Sequence, residues 1–263
     1  MRSIASTLTL GLTASIAALL PFHHTLFAQE NYEIQIYGSE TVAPGATMLE
    51  LHSNYTFDGS DEVVNGVLPT QSSLHETIEV TRGIAPDFEV GFYLFTSLRS
   101  ATGWNLVGSH IRPRVQVPAD WGLPMGASLS AEFGYQRREY STDAWTLELR
   151  PIIDGKTGDW YFSFNPTLGL SLDGLNKDAG ADFSPGVKVS FTASDVLDVG
   201  FEYYGSLGPV KGFDASREQE HQIFPAIDLN VSPDWEINFG VGVGLTPATD
   251  HLIAKLILGR RFL

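Results

Sequence analysis

The sequence predicts an all-β protein, a transmembrane antiparallel up-and-down β-barrel of about twelve strands. Three observations lead to this fold class. Long segments alternate apolar residues with polar or small ones, the connections between them alternate in kind, and the only long apolar run lies at the N-terminus. Helices and closed barrels are the two structures that satisfy every backbone polar group in lipid, so strands of this kind cross a membrane as a barrel.

The clearest strand pattern lies at residues 235–245, which read W-E-I-N-F-G-V-G-V-G-L. Trp235, Ile237 and Phe239 fall on one face, and Glu236 and Asn238 fall on the other. Successive side chains of a strand point to opposite faces, so this segment has one apolar face and one small or polar face. Its length of about eleven residues is what a tilted strand needs to cross a bilayer.

The same alternation recurs along the chain and predicts the other strands. They lie near residues 49–57, 74–80, 88–94, 107–117, 127–137, 145–150, 160–172, 187–191, 199–204, 227–231 and 252–262. The connections near 85–87, 118–122, 154–158, 194–197 and 232–234 are short, and those between them are longer and mostly acidic. Short periplasmic turns that alternate with longer outer loops are typical of bacterial outer-membrane barrels.

Four tryptophans near strand ends favour a membrane protein over a soluble β-sandwich, which would also alternate apolar and polar residues. They are Trp121, Trp145, Trp160 and Trp235. Aromatic belts form at both interfaces of a membrane barrel, whereas a sandwich has shorter strands and no lipid-facing aromatic residues.

The chain divides into three parts. Residues 1–28 are predicted to be a signal peptide, because Arg2 precedes an apolar stretch at 7–20 and Leu26-Phe27-Ala28 offers a cleavage site. The alternative, a lone membrane anchor, conflicts with the short apolar run. Residues 29–46 are predicted to be a periplasmic lead-in, either a mobile tail or a segment folded into the barrel mouth. Residues 47–263 form the barrel, which the signal peptide directs to the bacterial outer membrane.

Composition excludes several classes. The chain is 43% hydrophobic, less than a helical membrane protein would be, and its mean hydropathy is near zero. It has no cysteine, so disulfides and thiolate metal sites are excluded. A formal net charge of -15 makes nucleic acid an unsuitable partner. The expected partners are the lipid bilayer, lipopolysaccharide, a small-molecule solute and the barrel-assembly machinery. Acidic outer loops either hold divalent cations beside lipopolysaccharide or keep the surface soluble.

Several strand sequences resemble a family of Gram-negative outer-membrane barrels. They are Y-G-S-E-T at 37–41, E-L-H-S-N-Y-T at 50–56, and H-E-T-I-E-V-T-R-G-I at 75–84 with the following turn and E-V-G-F-Y. The chain is similar to the phenol-degradation (meta-pathway) or transporter-like barrel family. This resemblance implies a barrel that takes up small, aromatic or hydrophobic compounds. Such barrels typically end on an aromatic residue, whereas here Phe262 is next to last.

The inward faces of the predicted strands carry most of the strand charges. Turn positions bring Glu132 near Arg150 and Arg112 close to both, so a luminal cluster is predicted. Its residues are Arg112, Arg114, Glu132, Glu148 and Arg150. Two interpretations fit: a constriction that selects solutes by charge, or an ion-pair ladder that only fills the barrel.

Glycines 240, 242 and 244 line the inner face of the eleventh strand. Since glycine has no side chain, this wall leaves room for a pore or for close approach of the N-terminal segment.

The predicted function is a passive channel for small solutes, without catalysis, cofactor or metal. The alternatives are a closed structural or receptor-like barrel with a packed polar lumen and, less favoured, an enzyme acting on envelope lipids. His52 and Ser53 are neighbours in a strand and point to opposite faces, as do Ser109 and His110, so neither pair forms a nucleophile with its base. No third ligand accompanies the histidines near the outer loops at metal spacing.

Overall fold

A computed structural model describes residues 31–263, so the predicted signal peptide at 1–28 lies outside the described residues. Twelve strands and one turn of 3-10 helix at Ala119–Trp121 make up the regular structure of this range. The strands are β1 Thr47–Asp58, β2 Leu74–Ala85, β3 Phe88–Arg99, β4 Gly103–Gln116, β5 Gly126–Gln136, β6 Asp143–Thr157, β7 Trp160–Gly174, β8 Ala181–Ser194, β9 Leu197–Ser206, β10 Glu220–Leu229, β11 Trp235–Gly244 and β12 Leu252–Phe262. No helix in residues 31–263 is long and apolar enough to cross a membrane.

The strands form a closed antiparallel barrel, which confirms the predicted fold class and strand number. Each strand pairs with its neighbours in the chain, and β1 closes the ring against β12, where Asn54 pairs with Lys255. Closure leaves no strand edge with unpaired backbone groups. One end of the barrel, here called the turn end, holds the start of β1, the end of β12 and the β2–β3 turn. The opposite end, the loop end, holds the β1–β2 and β11–β12 connections.

Exposure alternates along the strands as the sequence predicts. In β11, Phe239 and Val241 on the outer face are 43% and 39% exposed, whereas Asn238 on the inner face is 3% exposed. The tryptophans assigned to the interfacial belts, Trp121, Trp145, Trp160 and Trp235, are all exposed. An apolar exterior around a polar interior reverses the pattern of a soluble protein and is typical of a membrane barrel.

The turn predicted at 154–158 is shorter than expected, because β6 continues to Thr157. Asp and Gly residues suggest a turn there, but Asp154 remains in the strand. Its carboxylate faces the lumen and accepts hydrogen bonds from Ser39 at 2.5 Å and from Tyr161 at 2.9 Å. Aspartate is uncommon inside strands, and these hydrogen bonds satisfy the Asp154 carboxylate.

Two other connections depart from the predicted alternation of lengths. The outer loop expected at 97–106 shrinks to residues 100–102, since β3 and β4 extend toward each other. Gly103 permits this tight connection with a φ of 70°, a conformation that glycine adopts without steric cost. The β4–β5 connection, expected to be short, spans residues 117–125 and includes the 3-10 turn.

The N-terminal segment does not lie ahead of the barrel. Residues 31–46, here called the luminal segment, run through the lumen from the loop end to the turn end. Asn31 donates a hydrogen bond of 2.9 Å to Asp250 in the β11–β12 loop, whereas the backbone N–H of Gly83, near the β2–β3 turn, donates one of 3.1 Å to the Ala46 carbonyl. The periplasmic placement expected for residues 29–46 is therefore corrected for residues 31–46, which are folded into the barrel and do not form the alternative, a mobile tail.

Apolar side chains of the luminal segment explain its position. Ile34 is 1% exposed and forms one cluster with Ile36 of the segment and Phe224 of the wall. Tyr32 packs in a second cluster with Phe95 at the loop end. A tail in the periplasm would leave these side chains in water, so burying them in the lumen stabilises the inserted position.

Candidate functional site in the barrel lumen

Side chains of the barrel wall bind the backbone of the luminal segment. The Tyr37 N–H donates to Asn165 Oδ1 at 2.8 Å. The Tyr37 carbonyl accepts hydrogen bonds from Ser163 Oγ at 2.6 Å and from Asn165 Nδ2 at 3.0 Å. Buried backbone groups need partners, and this segment, which is not a strand, obtains them from polar residues of β7.

Similar contacts repeat at other levels of the lumen. Thr77 Oγ1 donates to the Tyr32 carbonyl at 2.6 Å, and Lys255 Nζ donates to the Ile34 carbonyl at 3.0 Å. Closer to the turn end, the Arg114 guanidinium donates to the carbonyls of Gly38 and Glu40 at 3.0 and 2.8 Å, and the Val42 N–H donates to Glu89 at 2.6 Å. The inward polar residues of several strands thus form a binding groove for one extended peptide.

Tyr37 lies at the centre of this arrangement. The guanidinium carbons of Arg112 and Arg150 lie 4.7 and 4.8 Å from the centroid of its ring, within cation–π distance. Its hydroxyl donates to the Glu33 carboxylate and lies 3.2 Å from the Tyr93 hydroxyl. The ring therefore connects two wall arginines to the luminal segment.

The first ion-pair group surrounds Arg112. Its guanidinium contacts Glu79 at 2.6 Å and Glu89 at 3.4 Å, and Arg114 contacts Glu89 at 2.7 Å. The two carboxylate side chains are 0% exposed, so these charges are paired away from solvent. Such pairs depend on one another, because removing one partner leaves a buried charge uncompensated.

The second group surrounds Arg150. This guanidinium contacts Glu148 at 2.6 Å and Glu33 of the luminal segment at 3.2 Å. Beside it, His110 Nδ1 lies 2.5 Å from the Glu132 carboxylate. The segment thus contributes a carboxylate of its own to the wall network.

A third ion-pair group surrounds two lysines. Lys188 contacts Asp228 at 2.8 Å and Glu202 at 3.5 Å, and Lys255 also binds Glu202. The Tyr204 hydroxyl donates to Glu202 at 2.6 Å. Since Lys255 also donates to the segment, this group fixes the peptide as well as the wall.

The structure contains only some of the contacts predicted for the charge cluster. Glu148 and Arg150 form an ion pair, and Glu132 lies directly opposite Glu148 in the β5–β6 ladder. Arg112, however, turns away from Glu132 toward Glu79 on β2. Gly91 of the intervening strand provides the space, because a Cβ there would lie 3.2 Å from Arg112 Nη2. Strand order places the inward residues correctly but does not determine the neighbour toward which a long side chain turns.

Sequence reasoning did not assign Glu33 and Tyr37 to this cluster, because it predicts no defined contact between their segment and the barrel wall. A signal was present in the stretch E-I-Q-I-Y at 33–37, which alternates with period two like the strands. Apolar and aromatic residues at alternate positions are not expected in a tail that is exposed to solvent.

The glycine face of β11 is not an open wall. A Cβ at Gly242 would lie 2.2 Å from the Phe224 ring, and one at Gly240 would lie 3.2 Å from Lys255 Cε. These glycines therefore accommodate wall side chains that in turn contact the luminal segment. Direct approach of the segment occurs at Gly83, where a Cβ would lie 2.1 Å from the Ala43 carbonyl oxygen.

Two cavities border the luminal segment. A cavity of about 560 Å³ is bounded by residues 35–42 of the segment and by charged wall residues that include Glu50, Arg114 and Glu236. A smaller cavity of about 80 Å³ is lined by Glu33, with Arg150 on the wall. The luminal segment thus lines both cavities.

Solved structures identify the fold. No family model matches the chain, and no curated protein matches it by sequence. The KdgM porin superimposes with a TM-score of 0.52 at 9% identity, covering 82% of this chain and 99% of that one. The NanC porin gives a TM-score of 0.50 at 10% identity, with 82% and 99% coverage. The chain has the fold of an outer-membrane β-barrel. Membership of the phenol-degradation barrel family remains a prediction from the resemblance.

Proposed function

We propose that this protein is a passive channel of the bacterial outer membrane for small polar solutes, and that its luminal segment closes the channel in the conformation described. The observation that carries this proposal is the position of residues 31–46 inside a complete barrel. The twelve-strand ladder closes through β1 and β12, so the wall does not need the segment for its backbone pairing. Displacing the segment would leave a lumen lined by charged side chains.

The chemistry of the wall sets the class of solute. Arg112, Arg114, Arg150, Lys188 and Lys255 alternate with carboxylates around the lumen. Rings of charged side chains favour hydrated and charged solutes over hydrophobic ones. Aromatic compounds, which the family resemblance implies, fit this lining when they carry polar groups.

The fold supports the proposed cellular setting. KdgM and NanC are porins, and their fold is shared with this chain. An exposed apolar outer face requires a bilayer around it, and we assign that bilayer to the outer membrane, with lipopolysaccharide facing the loop end. Insertion would then use the barrel-assembly machinery. The lumen offers binding and passage, and the proposal includes no catalytic step.

A closed barrel with a structural or receptor role is the second candidate. Burial of the ion pairs favours it, since Arg112 is 2% and Arg150 5% exposed. In that case the luminal segment is a permanent part of the core, and the loop end is the functional surface.

Single-channel conductance in planar bilayers separates the two candidates. The full chain should give rare, small steps, whereas a variant lacking residues 31–41 should give stable, larger ones. Tyr37→Ala should raise the open frequency, because the ring no longer holds the two arginines. The matched control is Tyr135→Ala, which changes an exposed tyrosine of the outer face and should conduct like the full chain. Silent bilayers from all folded variants would overturn the channel and support the closed barrel.

A further inference from the structure

A further group of side chains in the lumen consists of Glu50, His52 and Glu79. Of these, only Glu79 belongs to an ion-pair group described above. Glu50 and His52 are two residues apart on β1 and therefore share its inner face. Glu79 on β2 lies directly opposite Glu50 in the ladder. Two like charges in directly opposed positions destabilise a sheet, so this pair calls for a cation between them.

The three side chains converge at short range and are shielded from solvent. One potential ligand atom from each lies within 4.8 Å of the other two. Glu50 is 6% exposed, and His52 and Glu79 are 0% exposed. His52 Nε2 lies 3.4 Å from Glu79 Oε2.

The His52 imidazole also indicates a ligand site, independently of the carboxylates. Within residues 31–263 neither ring nitrogen of His52 has a hydrogen-bond partner, nor does Glu79 Oε2. Buried polar atoms are nearly always satisfied, and each exception requires a physical explanation. The imidazole nitrogen and the carboxylate oxygen face each other at 3.4 Å without hydrogen-bond geometry, as two ligands of one ion would.

Arg112 neutralises only part of the negative charge around this group. Arg112 binds the other oxygen of Glu79 and is shared with Glu89. On the opposite side, Gln35 Nε2 donates to both Glu50 and Glu236, at 3.5 and 3.2 Å, and so holds a further carboxylate close by. The guanidinium groups of Arg112 and Arg114 are thus paired with Glu79 and Glu89, whereas Glu50 and Glu236 form no ion pair within residues 31–263.

We propose that Glu50, His52 and Glu79 bind a divalent transition-metal ion, for which Zn²⁺ is the best fit. Zn²⁺ takes imidazole nitrogen and carboxylate oxygen ligands at about 2.0–2.2 Å, so tetrahedral ligand atoms lie about 3.4 Å apart. The observed separation of His52 Nε2 and Glu79 Oε2 is 3.4 Å. Calcium and magnesium ions prefer oxygen ligands throughout, so the histidine selects against them.

Access and the fourth ligand come from the turn-end side. Glu50 lines the cavity of about 560 Å³, which connects the site with space large enough for water. A water molecule from this cavity completes the tetrahedron. Sequence analysis could not find the site, because its ligands are joined by cross-strand pairing and not by a spacing along the chain.

Metal content tests the proposal directly. The folded mature protein is stripped with a chelator, equilibrated with Zn²⁺ and desalted, and bound zinc is measured by mass spectrometry. We expect about one equivalent per chain. His52→Gln and Glu50→Gln should each lower the affinity at least about tenfold, since each removes one of three ligands. His251→Gln, which changes an exposed histidine at the loop end, should retain the metal.

Cobalt substitution gives a readout that general destabilisation would not imitate. Tetrahedral Co²⁺ absorbs visible light strongly, so the wild-type protein should gain a visible band that His52→Gln lacks although it remains folded by circular dichroism. Absence of stoichiometric zinc in the folded wild-type protein would overturn the proposal and leave His52 and Glu79 as an ion pair. Equal zinc affinity in wild-type protein and His52→Gln would overturn it as well.

Discussion

The Arg112 guanidinium lies 4.7 Å from the centroid of the Tyr37 ring, so a residue of strand β4 stacks on a residue of the inserted peptide. Arg150 on β6 makes the same contact at 4.8 Å. Both arginines are also paired with wall carboxylates, Glu79 and Glu148. The ring therefore belongs to the electrostatic network of the lumen, and loosening it affects both the wall and the segment.

Replacing Tyr37 by leucine and by phenylalanine separates the roles of its ring and its hydroxyl. Tyr37→Leu removes the cation–π contacts with Arg112, Arg114 and Arg150, each worth about 0.5–2 kcal/mol, together with the hydrogen bonds of the hydroxyl. Tyr37→Phe removes only the hydroxyl contacts, with Tyr93 and with the Glu33 carboxylate, and the second is worth about 1.5–3 kcal/mol. We expect Tyr37→Leu to lower the urea midpoint in lipid vesicles more than Tyr37→Phe does. Equal midpoints for the two variants would show that the stacking contributes nothing.

Removing Arg150 should destabilise the barrel strongly. Arg150→Met leaves the buried Glu33 and the half-buried Glu148 without their shared guanidinium, at a cost of up to about 3–5 kcal/mol. Adding Glu148→Gln should recover part of this loss, because one of the uncompensated charges is removed. Urea unfolding of the single and double variants measures the coupling.

A surface pair provides the control for Arg150. Arg138 contacts Asp173 at 2.9 Å, but the two side chains are 58% and 55% exposed. Exposed pairs contribute about 0–1 kcal/mol, so Arg138→Met should shift the midpoint little. Simple additivity in the Arg150 and Glu148 cycle, or equal effects of Arg150→Met and Arg138→Met, would contradict a buried network.

Much of the barrel could be predicted from local alternation alone. Phe239, Asn238 and Val241 take the faces that a period of two assigns, because lipid and lumen select opposite side chains at every position of a strand. The same period placed Arg112 and Arg150 in the lumen, where both are buried. Turn positions predict that Glu132 lies near Arg150, and in the ladder Glu132 is opposite Glu148, with Arg150 two residues further along β6.

The occupant of the lumen could not be predicted in the same way. Residues 31–46 have no ladder partner whose register could be deduced, and their contacts are with side chains from strands distant in sequence, such as Asn165 and Lys255. The partner of Arg112 depends on free space at Gly91, which is a property of packing. Local pattern therefore determines the wall, whereas the site depends on long-range contacts.

Lys255 should hold the luminal segment in place. Its ammonium group donates to the Ile34 carbonyl at 3.0 Å and to Tyr204 at 3.1 Å, and it binds Glu202. Lys255→Met removes these contacts and should make the segment more mobile. The chain has no cysteine, so a single Ser39→Cys reports access by its rate of maleimide labelling.

Ser39 is 2% exposed, so labelling of Ser39→Cys should be slow and should rise several-fold when Lys255→Met is added. Ser60→Cys, in an exposed loop, should label rapidly in both backgrounds. Lys177→Met removes an exposed lysine and is the charge-matched control. Unchanged Ser39→Cys labelling in the Lys255→Met background would show that the lysine does not hold the segment.

Filling the space at Gly83 should expel the luminal segment near the turn end. A Cβ at this position would lie 2.1 Å from the Ala43 carbonyl oxygen and 2.4 Å from that of Val42, and backbone atoms cannot yield as a flexible side chain does. Gly83→Val should therefore destabilise the protein by about 1–3 kcal/mol and speed the labelling of Ser39→Cys. Gly169→Ala is the control, because a Cβ there meets nothing within 4 Å. If Ser39→Cys is labelled at the same rate in the Gly83→Val and Gly169→Ala backgrounds, close approach at Gly83 does not fix the segment. If Gly83→Val alone speeds the labelling of Ser39→Cys and also gives channel conductance in bilayers, the luminal segment is the gate of the channel.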